Sequence, residues 1–164
     1  MNNSGLATLL FDLLTTEEEA EDIQTARLRF DIGFLASRLV AATDWLKSNP
    51  ETKGLKLGYF GASTGAAAAL VAAAERPGLV TAIVSRGGRP DLAMPILKRV
   101  KAPTLLIVGG NDFQVIDMNR QALAALQAEK KMAIVPGASH LFEEPGALEE
   151  VASLAAEWFI RYLK

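Results

Sequence analysis

The chain has 164 residues, half of them hydrophobic and 22% charged, and its formal net charge at pH 7 is -2. This length and apolar content suit one domain with a buried core, and the lack of a basic stripe argues against a nucleic-acid partner. The absence of cysteine excludes disulfides, thiol nucleophiles and cysteine metal sites, and a single histidine excludes a multi-histidine metal site, so we expect no metal and no cofactor.

The first predicted element is a buried strand over Leu6 to Leu14, because this short apolar run carries no helix caps. A helix with an acidic first turn follows, and its capping box is predicted at Thr16, with Glu19 reaching back to it. The next helix is predicted over Asp31 to Asn49, where apolar residues recur at helical spacing.

Strands and helices then alternate to the end of the chain. The predicted strands are Leu55 to Phe60, Leu79 to Ser85, Thr104 to Val108 and Lys131 to Val135, and the predicted helices are Ser63 to Arg76, Ala93 to Arg99, Met118 to Ala128 and a last one from Pro145. With the first strand this makes about five strands, and the alternation predicts an α/β fold with a mostly parallel sheet flanked by helices on both faces. No linker or repeat divides residues 1–164, so a single domain is expected.

The sequence Gly61-Ala62-Ser63-Thr64-Gly65 matches the pattern G-x-S-x-G between a predicted strand and a predicted helix. This pattern is typical of a sharp turn that exposes a serine hydroxyl at the carboxyl end of a strand, with small residues required on either side. The amide that follows the serine then lies at a helix N-terminus, where it can bind an oxyanion. The alternative is a glycine-bounded turn that only lets an alanine-rich helix pack close to the sheet.

Asp112 and His140 each follow the carboxyl end of a later predicted strand. Ligands bind at that edge of open α/β sheets, and the order Ser63, Asp112, His140 is the order of nucleophile, acid and base in hydrolases of this class. A serine hydroxyl needs a base, and a histidine base needs a carboxylate that fixes its tautomer. Taken singly, His140 is equally consistent with an exposed loop residue, and Asp112 with a turn-forming aspartate.

Other acids are alternatives for orienting His140. Asp91 is the best of them because it follows the strand that ends at Ser85, and the others are Asp117, Glu143 and Glu144. Two arginines of the same loop, Arg86 and Arg89, are consistent with binding an acidic substrate group or with bonding loop carbonyls.

These residues make the chain resemble the α/β-hydrolase superfamily, in its dienelactone-hydrolase-like branch. It also resembles the hydrolase half of proteins that fuse such a domain to a phosphoribosyltransferase. The matching segments are Leu6 to Asp12, Gly61 to Gly65, Ser85-Arg86-Gly87-Gly88-Arg89-Pro90-Asp91, Gly109 to Asp112 and Ala138-Ser139-His140. The resemblance implies a catalytic triad of Ser63, Asp112 and His140, and an oxyanion-hole amide from Thr64.

Two departures from the family pattern change the expected function. Dienelactone hydrolases use a cysteine nucleophile and this chain has no cysteine, so a simple ester is a better expected substrate than a lactone. Relatives also carry eight strands, and this chain opens at what resembles their fourth, so residues 1–164 are expected to form a truncated α/β-hydrolase domain. The loop after the third strand supplies the second oxyanion amide in relatives, and the loss of one such donor costs about 100- to 1,000-fold in rate.

The sequence therefore supports two functions. The first is a serine carboxylesterase that hydrolyses small, short-chain esters, and the alternative is a weak or inactive module that serves in interaction or assembly. An uncovered apolar strand edge predicts a homo-oligomer that buries the N-terminal strand edge, together with Phe34 and Trp45. The longest apolar stretch, Ala66 to Ala74, is shorter than the about 20 residues of a membrane span, so no membrane partner and a cytoplasmic location are expected.

Overall fold

The structure is a computed structural model and describes residues 5–164. The helices are α1 (Thr16–Thr25), α2 (Ile32–Ser48), α3 (Thr64–Glu75), α4 (Phe113–Ala125) and α5 (Ala147–Leu163), the strands are β1 (Leu57–Ala62), β2 (Val80–Arg86), β3 (Thr104–Gly109) and β4 (Lys130–Val135), and two 3₁₀ segments cover Leu28–Phe30 and Pro90–Arg99.

The four strands form one parallel sheet in the order β1-β2-β3-β4. Every residue of β3 is buried and β2 is nearly so, whereas the outer strands β1 and β4 are partly exposed. Central strands of such a sheet are covered on both faces and therefore read as continuous apolar runs. The predicted α/β class is confirmed, with four strands in the described residues where about five were expected.

Two apolar layers cover the sheet. On one face α3 packs through a run of buried alanines against α2 and the 3₁₀ segment Pro90–Arg99, and the small side chains let the helices approach closely. On the other face α5 packs closely against β1, since a Cβ at Gly58 would lie 2.6 Å from the Phe159 ring. Across residues 5–164, no helix combines the length and apolar character that a bilayer crossing needs.

The predicted strand at Leu6 to Leu14 is wrong. This stretch belongs to no helix or strand, and Leu10 is 96% exposed. Its two ends are anchored on different layers, with Leu6 against the α5 layer and Leu13 against the α3 layer. An apolar run becomes a buried strand only when a neighbouring strand completes its ladder, and within residues 5–164 the outer side of β1 has no paired strand.

The capping box of α1 lies one residue earlier than predicted. Thr15 is the cap, the Glu18 N–H donates to its hydroxyl, and the Thr15 N–H donates to the Glu18 carboxylate at 2.8 Å. Because Thr15 and Thr16 are adjacent and three glutamates follow, the sequence permits either register.

The other predicted bounds differ from the observed ones by at most three residues, but α4 begins five residues earlier than predicted. It starts at Phe113, directly after Asp112, instead of at Met118. Asp112 therefore stands both at the end of the β3 loop and at the N-cap position of α4.

Candidate active site

Ser63 lies in the tight turn between β1 and α3. Its backbone has φ 49° and ψ -126°, a conformation that costs energy for a residue with a side chain, and its side chain is exposed. A Cβ at Gly61 would lie 2.6 Å from the Gly65 carbonyl oxygen, so the first glycine of the motif is required by close packing. At Gly65, the nearest atom outside its own helix backbone is the Leu13 Cδ1, at 3.9 Å, so the second glycine is under no comparable constraint.

His140 and Asp112 are joined by a hydrogen bond of 2.6 Å between His140 Nδ1 and Asp112 Oδ2. A carboxylate accepts and does not donate, so Nδ1 carries the proton and the lone pair is left on Nε2. The Asp112 side chain is 15% exposed and the His140 ring 43%. The acid is thus largely withdrawn from water while the imidazole remains accessible.

Backbone contacts between the loops that follow β3 and β4 bring these two side chains together. The Asn111 N–H donates to the Ala138 carbonyl at 2.9 Å, and the Asn111 side-chain amide donates to the Gly137 carbonyl at 2.8 Å. A Cβ at Gly109 would lie 2.4 Å from the Ser139 carbonyl oxygen, so only glycine permits this approach.

One open cavity of about 300 Å³ contains Ser63, Thr64, Asp112 and His140 in its wall. Five further residues complete the lining, namely Phe30, Arg89, Gln114, Val115 and Met118. Within residues 5–164 no hydrogen bond joins the Ser63 hydroxyl to the His140 ring. Catalytic hydrogen bonds are often long or poorly aligned in ligand-free enzymes and tighten when substrate binds.

Local sequence patterns do not identify Phe30, Gln114, Val115 and Met118 as lining residues. The last three lie on the first two turns of α4, whose predicted start is Met118, and a helix start at Phe113 places Gln114 and Val115 directly after the acid. Phe30 comes from a segment whose position depends on Asp22, a buried residue of α1. No regular helix or strand pattern reveals this contact between Asp22 and the backbone of Leu28 and Arg29.

Asp22 fixes the turn that carries Phe30. Its carboxylate accepts the N–H groups of Leu28 at 2.6 Å and Arg29 at 3.0 Å, and pairs with the Arg29 guanidinium. Burial alone would raise the pKa of Asp22, but the hydrogen bonds from Arg29 and Leu28 outweigh it and hold the pKa below its ordinary value. Through these bonds Asp22 of α1 holds the 3₁₀ segment Leu28–Phe30, which contributes Phe30 to the cavity wall.

The other acids considered for His140 have different partners. Asp91 binds Arg89 through two hydrogen bonds of 2.9 and 2.8 Å, which raise the pKa of the Arg89 guanidinium. Glu144 accepts the Ser139 N–H at 3.0 Å, and this bond lowers the pKa of the Glu144 carboxyl. Asp117 pairs with Arg120.

The two loop arginines differ. Arg89 lines the cavity but is neutralised by its pair with Asp91, whereas Arg86 stacks over the Phe142 ring at 5.5 Å from its centroid. Arg89 is paired with a carboxylate and Arg86 does not line the cavity, so neither offers the free charge at the cavity that an acidic substrate group requires.

The model of the dienelactone hydrolase family matches residues 3–163. The chain belongs to the dienelactone hydrolase family. A crystal structure of a dienelactone hydrolase from Anabaena variabilis ATCC 29413 is 68% identical, with a TM-score of 0.96 over 99% of this chain and 76% of that one. A dienelactone hydrolase-like promiscuous phosphotriesterase from metagenomic libraries shares the fold at 20% identity, with a TM-score of 0.70 over 92% of this chain and 70% of that one.

Two proteins of Mycobacterium tuberculosis, from strains CDC 1551 / Oshkosh and ATCC 25618 / H37Rv, are 56% identical over 163 residues. Their names describe them provisionally as phosphoribosyl transferases. The match covers 99% of this chain and 36% of each of these relatives, so the chain spans about a third of their length.

Proposed function

We propose that this member of the dienelactone hydrolase family is a serine carboxylesterase that hydrolyses small, short-chain esters through an acyl-enzyme. Ser63 is the nucleophile, His140 the base and Asp112 the acid that orients it. The observation that carries the proposal is the hydrogen bond of 2.6 Å between Asp112 and His140. Both residues line the same cavity as the exposed Ser63. This pairing leaves the His140 Nε2 lone pair available for a hydroxyl proton.

The reaction then has two halves. Ser63 Oγ attacks the ester carbonyl carbon while His140 Nε2 takes the hydroxyl proton, and the N–H of Thr64 donates to the oxyanion that forms. The carbon–oxygen bond to the alcohol breaks, and His140 returns the proton to the leaving oxygen. In the second half His140 deprotonates a water that attacks the acyl carbon, the acid leaves, and Ser63 regains its proton.

The lining favours a small neutral ester. Arg89 is occupied by Asp91 and offers little net charge, while Phe30, Val115 and Met118 supply apolar surface. A cavity of about 300 Å³ suits a short acyl group. The hydroxyl nucleophile, in place of a thiol, is the reason for proposing a simple ester where the family name suggests a lactone.

The test is hydrolysis of an activated aryl ester by the wild type and by Ser63→Ala, with Ser37→Ala as the matched control. Ser37 is an exposed serine on α2, whose hydroxyl donates to the Phe34 carbonyl outside the cavity. We expect Ser63→Ala to lower kcat by roughly 10⁴-fold or more, since triad members act as a unit. Hydrolysis that persists unchanged in Ser63→Ala rejects the proposal.

A catalytically inactive module is the second candidate. Two observations favour it. No hydrogen bond joins Ser63 to His140 within the described residues, and Thr64 is the one oxyanion donor that we assign among them. A fluorophosphonate probe separates the two candidates, because an activated Ser63 is labelled and an inert hydroxyl is not. The transferase names of the mycobacterial relatives do not enter either proposal, because the chain covers 36% of their length and that part matches a hydrolase family.

A further inference from the structure

Asn119 is a fully buried polar residue on α4, outside the cavity lining. Its side-chain amide donates to the carbonyl of Val115, one turn back on the same helix, at 2.8 Å. The same amide donates across to the carbonyl of Gly88 at 3.0 Å. Asn119 thus joins α4 to the loop that follows β2.

That loop is packed closely on both sides. A Cβ at Gly88 would lie 2.0 Å from the Ser85 hydroxyl oxygen and 2.6 Å from the Ala66 Cβ. At Gly87, whose φ is +52°, a Cβ would lie 3.2 Å from the His140 carbonyl oxygen and 3.8 Å from the ring carbon Cε1. Gly87 therefore lies against the His140 backbone and beside the edge of its ring.

The loop also contacts the nucleophile turn. The Arg89 N–H donates to the Ser63 carbonyl oxygen at 3.0 Å. Asn119 is also linked to the acid through α4, because this helix starts directly after Asp112 and Asn119 lies seven residues after Asp112. One loop thus touches the turn of the nucleophile and the ring of the base, and Asn119 ties it to the helix of the acid.

We propose that Asn119 is a positioning residue for the active site, which holds the Gly87–Gly88 backbone against the His140 ring and the Ser63 turn. The inference rests on the proposed function and extends it to a residue that does not touch the cavity. Small displacements of catalytic groups have large effects on rate, so loss of the bond to Gly88 is expected to lower kcat/KM by about 10- to 100-fold.

Thr43 provides a matched control. It is a buried residue of α2, and its hydroxyl has the same pattern of partners, namely the Leu39 carbonyl one turn back at 2.9 Å and the Tyr59 hydroxyl across the layer at 2.6 Å. Thr43→Val removes both bonds with little change of shape, away from the cavity. It reports what the loss of a buried cross-link costs in stability alone.

The experiment compares Asn119→Leu, Asn119→Ser and Thr43→Val with the wild type by thermal unfolding, ester hydrolysis and proton NMR of His140. Serine is included because its hydroxyl can still bond the Val115 carbonyl, whereas it is too short for Gly88, so this variant keeps the helix and loses the cross-link. His140 is the sole histidine, so its ring Hε1 resonance is assigned without ambiguity. This resonance reports the contact with Gly87 whether or not the protein is active.

We expect both Asn119 variants to shift the Hε1 resonance and to lower kcat/KM. Thr43→Val should lower the melting temperature by a similar amount but leave the Hε1 resonance and kcat/KM unchanged. If Asn119→Leu does not fold, Asn119→Ser alone decides. An Hε1 resonance at the wild-type position in folded Asn119→Ser overturns the proposal, as does an equal loss of activity in Thr43→Val. A wild type that hydrolyses no ester rejects the esterase, and the Hε1 comparison still decides whether Asn119 positions His140.

Discussion

Two edges of the molecule are built in opposite ways. At the carboxyl end of the sheet, backbone hydrogen bonds and close-packed glycines tie together the turns after β1, β2, β3 and β4. Along the outer side of β1, no strand of the described residues is paired, and the apolar side chain of Phe60 is 41% exposed. The first edge has its backbone polar groups satisfied internally and so fixes side-chain positions.

The two edges should therefore respond differently to substitution. Where contacts are dense, single substitutions should change the geometry of specific atoms, and their effects should be large and local. Where apolar surface is exposed, the expected effects are on association, and they are smaller and distributed over many residues.

The largest expected effect at the contact-rich edge is that of Asp112→Asn. The amide cannot hold His140 in the tautomer that leaves Nε2 free, so kcat should fall by roughly 10⁴-fold with little change in stability. Asp117→Asn, in the following helix, is the control, because Asp117 is exposed and pairs with Arg120. If both variants retain wild-type kcat, measured with the same aryl ester, Asp112 does not orient the base.

The two glycines of the serine turn should respond differently to alanine. At Gly61 the new methyl group would meet the backbone of Gly65 and Ala66 at 2.6 to 2.7 Å, and such overpacking costs about 1–3 kcal/mol. At Gly65 the nearest atom is 3.9 Å away, and alanine suits a helix better than glycine by about 1 kcal/mol. Urea unfolding of both variants checks this, and an equal loss in both would contradict the packing account.

The contact-rich edge was also the part that the sequence predicted best. Strand ends and turn residues are local signals, so Ser63, Asp112 and His140 could each be placed at a strand end, and the α/β class followed from the alternation of elements. Glycine at 61 could be interpreted because the sharp turn of the serine motif requires a small residue there, and the structure confirms the close approach. The family resemblance supplied the order of the three residues and their roles.

Properties that depend on distant contacts could not be predicted. Leu6 to Leu14 has the composition of a buried strand, but composition does not say whether a neighbour exists to pair with it. The place of Phe30 in the cavity wall depends on the bond from the Leu28 N–H to Asp22, and the proposed role of Asn119 depends on its bond to the Gly88 carbonyl. Neither contact belongs to a regular helix or strand pattern. The start of α4 was missed because the polar residue Asn119 interrupts the buried face between Val115, Ile116 and Ala122.

A smaller effect is expected at Glu144, which supports the loop of His140. The N–H of Ser139 lowers the Glu144 pKa below its ordinary value of 4.5, so the ionised carboxylate stabilises the folded state. This contribution is complete above pH 4.5 and is lost as the pH falls through the lower value of the folded protein. The melting temperature of the wild type should exceed that of Glu144→Gln at neutral pH, and the gap should close on acidification. Glu143→Gln, a change at the exposed neighbour, should show no such convergence.

The weakest effect concerns the outer side of β1, where self-association stays a prediction. Strand β1 (Leu57–Ala62) has no charged residue, whereas the opposite edge strand, β4, begins with Lys130 and Lys131. Lysines on an edge strand discourage pairing with another chain. Sedimentation at micromolar concentration should therefore give a mass above the 17.5 kDa of one chain.

Phe60 on β1 and Ile134 on β4 are each 41% exposed, and their threonine variants locate the interface. Threonine keeps the β propensity and removes apolar area, so Phe60→Thr should shift the mass toward one chain while Ile134→Thr should not. A wild type that sediments as one chain contradicts the prediction. If the two variants shift the mass equally, both edges take part in association. The lysines of β4 would then not prevent that strand from pairing with another chain.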